Sequence, residues 1–173
     1  MRNLLVVVDM QNDFIDGALG TKEAVAIVDN VIAEIAKYDT KDIFATRDTH
    51  PENYLETQEG KNLPVVHCVK GTDGWQINEK VKTALKDAVV IDKPTFGSIY
   101  LAEEIAKIAE KEDITVTLIG LCTDICVVSN ALLIKAYLPE IPVKVIASCC
   151  AGVTPESHEA ALATMRMCQV QVE

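Results

Sequence analysis

The sequence has no long apolar run and no excess of basic residues. Its first apolar stretch, residues 4–8, is too short for a signal peptide, and no later run approaches membrane-spanning length. Lys and Arg total 16 against 26 Asp and Glu, which gives a formal charge of -10 and a pI near 4.7. Such acidity argues against nucleic acid or an anionic membrane as partner. We expect a cytoplasmic protein that binds a small molecule and further copies of itself.

The six cysteines lack the spacing of a structural zinc site. Cys122 and Cys126 are four residues apart, and Cys149 and Cys150 are adjacent, so no C-x-x-C pair exists. Without an export signal, the cysteines of a chain with a good core normally stay reduced. The thiols are therefore expected to be free.

Internal repeats, linkers and low-complexity segments are also absent. The 173 residues are enough for one core that buries roughly 70% of the unfolded surface. We predict a single domain over residues 1–173.

Short apolar runs alternate with amphipathic helical patterns along the whole chain. Helices are predicted from Thr21 through Ile35, around Val81, around Ile105, from Asp124, and from Thr154. This alternation predicts an α/β fold, a parallel sheet with helices on both faces. The strands are predicted at residues 3–9, 43–46, 89–91, 114–119, 143–147 and 169–172.

Chemically reactive residues follow four of these strands. Asp9, Asp48 with His50, Lys93 and the turn containing Cys126 each come just after a different strand. In parallel sheets, ligands bind beyond the carboxyl ends of the strands, so these residues predict an active site at one edge. The alternative for Asp9 and Lys93 is an ion pair that only satisfies two strand ends.

The stretch GLCTDICV, residues 120–127, joins a buried strand to a helix. Thr123 or Asp124 is predicted to cap that helix, which places Cys126 in its first turn, where the helix dipole favours a thiolate. Asp9 could take the thiol proton and Lys93 could hold both anions, a Cys-Asp-Lys triad. Backbone N–H groups of Cys122 and Cys126 form the predicted oxyanion hole. The alternative is that Cys126 is a small buried apolar residue.

A long connection, residues 47–75, has little periodicity, and such connections are usually functional. Asp48, His50 and His67 are ligand types suited to Zn²⁺, Mn²⁺ or Fe²⁺, with Glu59 as a fourth candidate. We predict a divalent metal site with zinc as the first choice of ion, because these ligand types suit it. The alternative is that these residues belong to a solvated loop.

Five motifs together resemble the nicotinamidase and isochorismatase-like cysteine hydrolases nearly from end to end: VDMQNDFIDGAL, ATRDTHP, LPVVHCVKGTDG, DKPTFGS and GLCTDICV. The resemblance implies a three-layer αβα, Rossmann-like fold with a six-stranded, mainly parallel sheet. It also implies catalytic Asp9, Lys93 and Cys126, metal ligands Asp48, His50 and His67, and a cis peptide at Leu121-Cys122. In nicotinamidases the metal holds the pyridine nitrogen, the cysteine attacks the carboxamide, and water releases nicotinate from a thioester.

Some positions depart from the nicotinamidase pattern. Tyr54 stands where many nicotinamidases have a further histidine, Leu63 replaces a tryptophan that stacks on the pyridine, and Ile125 replaces a frequent aromatic residue. The predicted substrate pocket consists of Phe14, Leu19, Leu63, Phe96 and Leu121. Trp75 is expected to be a packing anchor, and His158 a surface or capping residue.

We therefore expect a metal-assisted, cysteine-dependent amidohydrolase with nicotinamide as the leading substrate. The alternatives are an isochorismatase-like or ureido-compound hydrolase of the same fold, or a non-catalytic member that binds a ligand or a partner protein. A homodimer or higher homo-oligomer is expected from the resemblance.

Overall fold

The computed structural model describes residues 1–173 and contains one six-stranded sheet in the order β3-β2-β1-β4-β5-β6. All five strand pairs are parallel, so the predicted α/β fold with a parallel sheet is confirmed. β2, β3, β4 and β5 extend further than predicted, and β6 is shorter. The strands are β1 (Arg2–Val8), β2 (Ile43–Asp48), β3 (Val89–Lys93), β4 (Ile114–Leu121), β5 (Val143–Ala151) and β6 (Gln171–Val172).

Eight α-helices connect the strands. The predicted single helix from Thr21 to Ile35 is wrong, because the helix is interrupted at Ile27, which lies between two shorter helices. Ala24, Ile27 and Val31 lie in one core, as their i, i+3, i+7 spacing requires. The helices are α1 (Asn12–Ile15), α2 (Lys22–Ala26), α3 (Val28–Ile35), α4 (Gln58–Asn62), α5 (Glu79–Leu85), α6 (Ile99–Ala109), α7 (Val128–Tyr137) and α8 (Pro155–Met167).

Helices cover both faces of the sheet and form two apolar cores. Leu5 and Val7 of β1 point into the core shared with α3 and α5, whereas Leu4, Val6 and Val8 point into the core shared with α6, α7 and α8. Burial on both faces explains why β1 is an uninterrupted apolar run. None of the helices combines the length and apolar character needed to cross a membrane.

The strand order reverses at β1, which has β2 on one side and β4 on the other. A crevice for ligands forms at such a reversal, beyond the carboxyl ends of the strands. Close approach of the two central strands there requires glycine at position 120. Its φ is +115°, and a Cβ would lie 2.1 Å from the carbonyl oxygen of Val8.

Candidate active site

The ammonium of Lys93 lies at the centre of a buried cluster at the strand ends. Its Nζ is 2.7 Å from Oδ2 of Asp9, 3.3 Å from Sγ of Cys126 and 3.5 Å from Oδ1 of Asp48. All four side chains are buried. Burial alone lowers the pKa of Lys93, but the nearby anionic groups, Asp9 first, outweigh it and raise that pKa above its ordinary value. Lys93 is thus a permanent cation.

Asp9 is held in a conformation that few non-glycine residues adopt, with φ of +47°. Its Oδ1 accepts a hydrogen bond from Oγ1 of Thr46 at 2.6 Å, while Oδ2 faces Lys93 and makes no further hydrogen bond. Burial raises the pKa of Asp9 above its ordinary value, against the opposing effect of Lys93. A buried carboxylate with a raised pKa can accept a proton.

Cys126 lies in the first turn of a helical segment, as predicted, but that turn is π-helical instead of α-helical. Residues Thr123–Val127 form a π-helical turn, and α7 begins only at Val128. Burial raises the pKa of the Cys126 thiol well above its ordinary value, and the charge of Asp9 adds to the effect. Burial therefore opposes the thiolate that the helix dipole was predicted to favour, and a thiol with a raised pKa needs a base to become a nucleophile.

Neither Thr123 nor Asp124 caps this helix, also contrary to prediction. The hydroxyl of Thr123 is hydrogen-bonded to Nδ1 of His158, and the carboxylate of Asp124 accepts the N–H of Val153. Both side chains are therefore committed to the segment that precedes and begins α8.

Cys122 lies between β4 and the π-helical turn and lines the cavity next to Cys126. Its carbonyl oxygen accepts the N–H groups of Ile125 and Val127, but its own backbone N–H has no partner in the protein. The Leu121-Cys122 peptide is cis, as the resemblance implied. Burial raises the pKa of the Cys122 thiol to about 12.

The four predicted metal-binding residues come together beside this cluster. One ligand atom from each of Asp48, His50, Glu59 and His67 lies within 4.8 Å of the others. Nε2 of His50 is 2.9 Å from Oδ2 of Asp48 and 3.6 Å from Oε1 of Glu59. Nε2 of His67 is 3.8 Å from the same two oxygens.

The donor set fits a divalent cation. Nε2 of His50 is buried and makes no hydrogen bond, despite the carboxylate beside it. Nδ1 of His67 lies 2.7 Å from the carbonyl oxygen of Val65, to which it donates its proton. Nε2 of His67 therefore keeps a lone pair that can bind a metal. Metal-binding histidines are commonly oriented by such a second hydrogen bond. Two imidazole nitrogens and two carboxylates could hold a divalent metal.

Gln11 fixes the position of Asp48, a role that sequence reasoning missed. The side chain is fully buried. Its amide donates to the carbonyl oxygens of Asp48 at 2.8 Å and Trp75 at 2.9 Å, and its Oε1 accepts the Asp48 N–H at 2.7 Å. The only feature of the sequence that could have indicated this role is the position of this amide, two residues after the first predicted strand. Trp75 is the buried anchor that was expected.

The nucleophile cluster and the metal-binding group open into one cavity of about 490 Å³. Phe14, Leu19, Leu63 and Phe96 line it, as predicted. Leu121 does not: it is the last residue of β4, and its side chain is buried in the core between the sheet and α3 and α5. Gln58 and Asn62 were missed, although their spacing of four residues places both on one face of α4.

A family model described as the isochorismatase domain matches residues 3–173. The chain belongs to the isochorismatase family. The resemblance stated from its motifs is therefore confirmed.

Three relatives illustrate the range of this isochorismatase-family fold. The nicotinamidase/pyrazinamidase of Mycobacterium tuberculosis is 26% identical over 183 residues, covering 97% of this chain and 96% of the relative. The crystal structure of the pyrazinamidase of Pyrococcus horikoshii in complex with zinc has a TM-score of 0.83 at 29% identity and covers 100% of this chain and 99% of that one. N-carbamoylsarcosine amidase from Thermoplasma acidophilum has a TM-score of 0.76 at 27% identity, covering 100% and 96%.

Tyr54 takes a supporting place in this isochorismatase-family site. Its fully buried ring packs against the rings of His50 and His67, with centroids 4.7 Å and 5.0 Å away. Its hydroxyl donates to the carbonyl oxygen of Leu63 at 2.9 Å. Tyr54 therefore supports the two histidines and the cavity wall rather than adding a ligand atom.

Proposed function

We propose that this protein is a cysteine-dependent, metal-assisted amidohydrolase that converts nicotinamide to nicotinate and ammonia. The observation that carries the proposal is the position of Lys93. Its ammonium contacts the proposed base Asp9, the proposed nucleophile Cys126 and the proposed metal ligand Asp48. The proposed nucleophile and the metal-binding group are therefore close enough to act on one substrate in the same cavity.

The first half of the proposed reaction forms a thioester. Oδ2 of Asp9 accepts the Cys126 thiol proton as Sγ attacks the carboxamide carbon, and Lys93 stabilises the anions. The N–H groups of Cys122 and Cys126 donate to the oxygen that becomes negative. When the C–N bond breaks, the proton on Asp9 passes to the nitrogen, and ammonia leaves.

The second half of the proposed reaction hydrolyses the thioester. Asp9, again a carboxylate, takes a proton from water as the water oxygen attacks the acyl carbon. The C–S bond then breaks, the carboxylic acid product leaves, and the proton returns to the Cys126 sulfur. The raised pKa of Asp9 suits it to both the acid and the base steps.

We propose Zn²⁺ as the bound metal, with Mn²⁺ and Fe²⁺ as alternatives, held by Asp48, His50, His67 and Glu59. The mixed nitrogen and oxygen donors and the zinc in the P. horikoshii structure support this assignment. A bound ion would supply a Lewis acid to which a nitrogen lone pair of the substrate can bind.

The lining of the cavity favours a neutral amide over a carboxylate-bearing substrate. None of its 14 lining residues is Lys or Arg, and its two acidic residues, Asp48 and Glu59, are the ones assigned to the metal. Isochorismate and ureido acids carry carboxylates, which such a wall does not pair with a side-chain cation. Nicotinamide is neutral and flat, as the apolar part of the wall requires.

We also propose a homodimer or higher homo-oligomer. Phe96, Ile99 and Tyr100 are large apolar side chains about half exposed and close in sequence, the kind of surface that associates. Sedimentation velocity at several concentrations tests this proposal, and a monomer throughout would contradict it.

The function is tested by ammonia release from nicotinamide, measured on zinc-loaded protein. We expect release by the wild type, none by Cys126→Ala, and full release by Cys168→Ala, which removes an exposed cysteine outside the cavity. Activity of Cys126→Ala at the wild-type level would refute the mechanism. Release from N-carbamoylsarcosine but not from nicotinamide would favour the ureido-hydrolase alternative, and binding of nicotinamide without turnover would favour a non-catalytic member.

A further inference from the structure

A segment outside the cavity is hydrogen-bonded to the turn that carries the proposed nucleophile. This 152–158 segment links β5 to the first turn of α8. Nδ1 of His158 is 2.8 Å from Oγ1 of Thr123, and the N–H of Val153 lies 3.1 Å and 3.2 Å from the two carboxylate oxygens of Asp124. Two consecutive residues of the turn are thus held from outside the sheet.

The close approach within this segment depends on glycine. A Cβ at Gly152 would lie 2.9 Å from the backbone nitrogen of His158 and 3.0 Å from its Cα. Thr154 caps α8 by accepting the N–H of Ser157, and the His158 N–H donates to the carbonyl oxygen of Thr154. The backbone of His158 is therefore held by a regular helix start, which aims its ring at Thr123.

Thr123 has no other side-chain partner. It is fully buried, and its hydroxyl is hydrogen-bonded only to His158. The residue before it is Cys122, which lines the cavity and whose backbone N–H has no partner in the protein. Loss of the His158 partner would leave a buried hydroxyl unsatisfied directly beside that N–H, and the turn would relax to find another partner.

We propose that His158 is a positioning residue that acts through Thr123 to orient the backbone N–H of Cys122 toward the substrate oxygen. The inference rests on the proposed function, because it assumes that an oxygen anion develops there. His158 is not among the cavity-lining residues and touches none of the proposed metal ligands. Its effect should therefore fall on kcat and not on metal content.

The first test compares two amide substitutions at position 158. The side chain of Asn can place a polar atom where Nδ1 of histidine lies, whereas Gln places its polar atoms nearer to Nε2. His158→Gln should lower kcat by about 10- to 100-fold, the range expected for a misplaced donor, with KM and zinc content unchanged. His158→Asn should remain within about threefold of the wild type if the Thr123 hydrogen bond is restored.

A second pair of substitutions tests the other side of this hydrogen bond, at Thr123. Thr123→Val keeps the shape and removes the hydroxyl, while Thr123→Ser keeps the hydroxyl. We expect Thr123→Val to lower kcat as His158→Gln does, and Thr123→Ser to keep kcat near the wild-type value. Combining Thr123→Val with His158→Gln should lower kcat no further, because both substitutions break the same hydrogen bond. Additive losses would overturn the proposal.

A measurement independent of turnover separates this proposal from the function itself. Pyridine-3-carboxaldehyde can add to Cys126: the S–C bond forms, the C=O π bond breaks, the thiol proton passes to Asp9, and the oxygen becomes the anion that the Cys122 N–H would bind. Alkylation of Cys126 by iodoacetamide creates no such anion. His158→Gln should weaken the aldehyde adduct by about 10- to 100-fold and leave the alkylation rate within about twofold.

Three results would overturn the positioning role. They are an unchanged aldehyde affinity in His158→Gln, an equal slowing of alkylation, and a wild type that forms no adduct with the aldehyde. Failure of the proposed function looks different: the wild type would bind the aldehyde with the predicted dependence on His158, yet release no ammonia from nicotinamide.

Discussion

The two sides of the cavity are built by different means. On one side Asp9 follows β1, and Lys93 ends β3, so both are placed by the hydrogen bonding of the sheet. On the other side His50, Glu59 and His67 come from residues 49–78, which contain only short helical segments. The proposed base and its lysine thus lie on the side built from strands, and most of the proposed metal ligands lie on the side made of connections.

The connection is held to the segment after β1 by backbone hydrogen bonds and by side chains of that segment. Gln11 bridges Asp48 and Trp75, and Oδ2 of Asp13 accepts the N–H of Cys68 at 2.8 Å. Asp48 belongs to both sides, because it ends β2 while contacting Lys93 and His50. Substitutions on the two sides should therefore have separable effects.

The largest loss of activity is expected from a substitution of Asp9, on the side of the cavity built from strands. Asp9→Asn removes the base that a thiol with a raised pKa requires, so kcat for ammonia release should fall about 1,000-fold. Zinc content, measured by atomic absorption, should not change, because Asp9 is not in the ligand group. The control is Asp16→Asn, an exposed carboxylate, which should retain full activity. More than a tenth of wild-type activity in Asp9→Asn would argue against Asp9 as the base.

The next largest loss of activity is expected from a substitution of His50, on the side of the cavity made of connections. His50→Ala removes one of four donors, so zinc affinity should fall by at least about 100-fold and activity should fall with it. Excess zinc should restore part of the activity. The rate of Cys126 alkylation should stay within about twofold, because Asp9 and Lys93 are untouched. If zinc stoichiometry were unchanged in His50→Ala, the ligand assignment would be wrong.

The pH dependence separates the two sides without a mutation. Burial raises the pKa of Asp9, so the carboxylate is protonated at a higher pH than an ordinary aspartate, whose pKa is 3.8. As pH falls through the raised value the base is lost, and kcat/KM should decline about tenfold per pH unit. Zinc content must be followed in parallel, since protonation of the histidines would release the metal. An acid limb at or below 3.8 with zinc still bound would contradict this assignment.

The sheet could be predicted from sequence because short apolar runs alternate with helical patterns, and reactive residues follow four of those runs. Its finer geometry could not, because contacts distant in sequence decide it. No local signal marks the interruption of the helix at Ile27, and a register shift between Leu118 and Gly120 alters the pairing of β4 with β5. Local patterns carry neither kind of information.

The reactive residues of the site could be predicted, but the residues that hold them could not. Asn130 shows why. This buried amide accepts the N–H of Ser98 and donates to the carbonyl oxygens of Phe96 and Cys126, joining the Lys93 turn to the nucleophile turn. In the sequence it is one polar residue in an apolar helix. The prediction that Leu121 lines the substrate pocket was wrong because β4 continues through this residue and directs its side chain into the core.

The smallest expected effect concerns the wall that the connection supplies. Leu63 lines the cavity and is 38% exposed, so a larger side chain has room at the mouth. Leu63→Trp would offer an aromatic face to the pyridine ring, and such contacts contribute about 0.5–1.5 kcal/mol, so KM for nicotinamide should fall about 2- to 10-fold with kcat unchanged.

The matched control for Leu63→Trp is Val66→Trp, which adds the same side chain at an exposed position that does not line the cavity. KM in that variant should equal the wild-type value. An aliphatic amide without a ring should show no gain with Leu63→Trp, because it offers no face for stacking. If KM for nicotinamide instead rises in Leu63→Trp, the ring does not lie against this wall, and the connection side would bind the metal without shaping substrate choice.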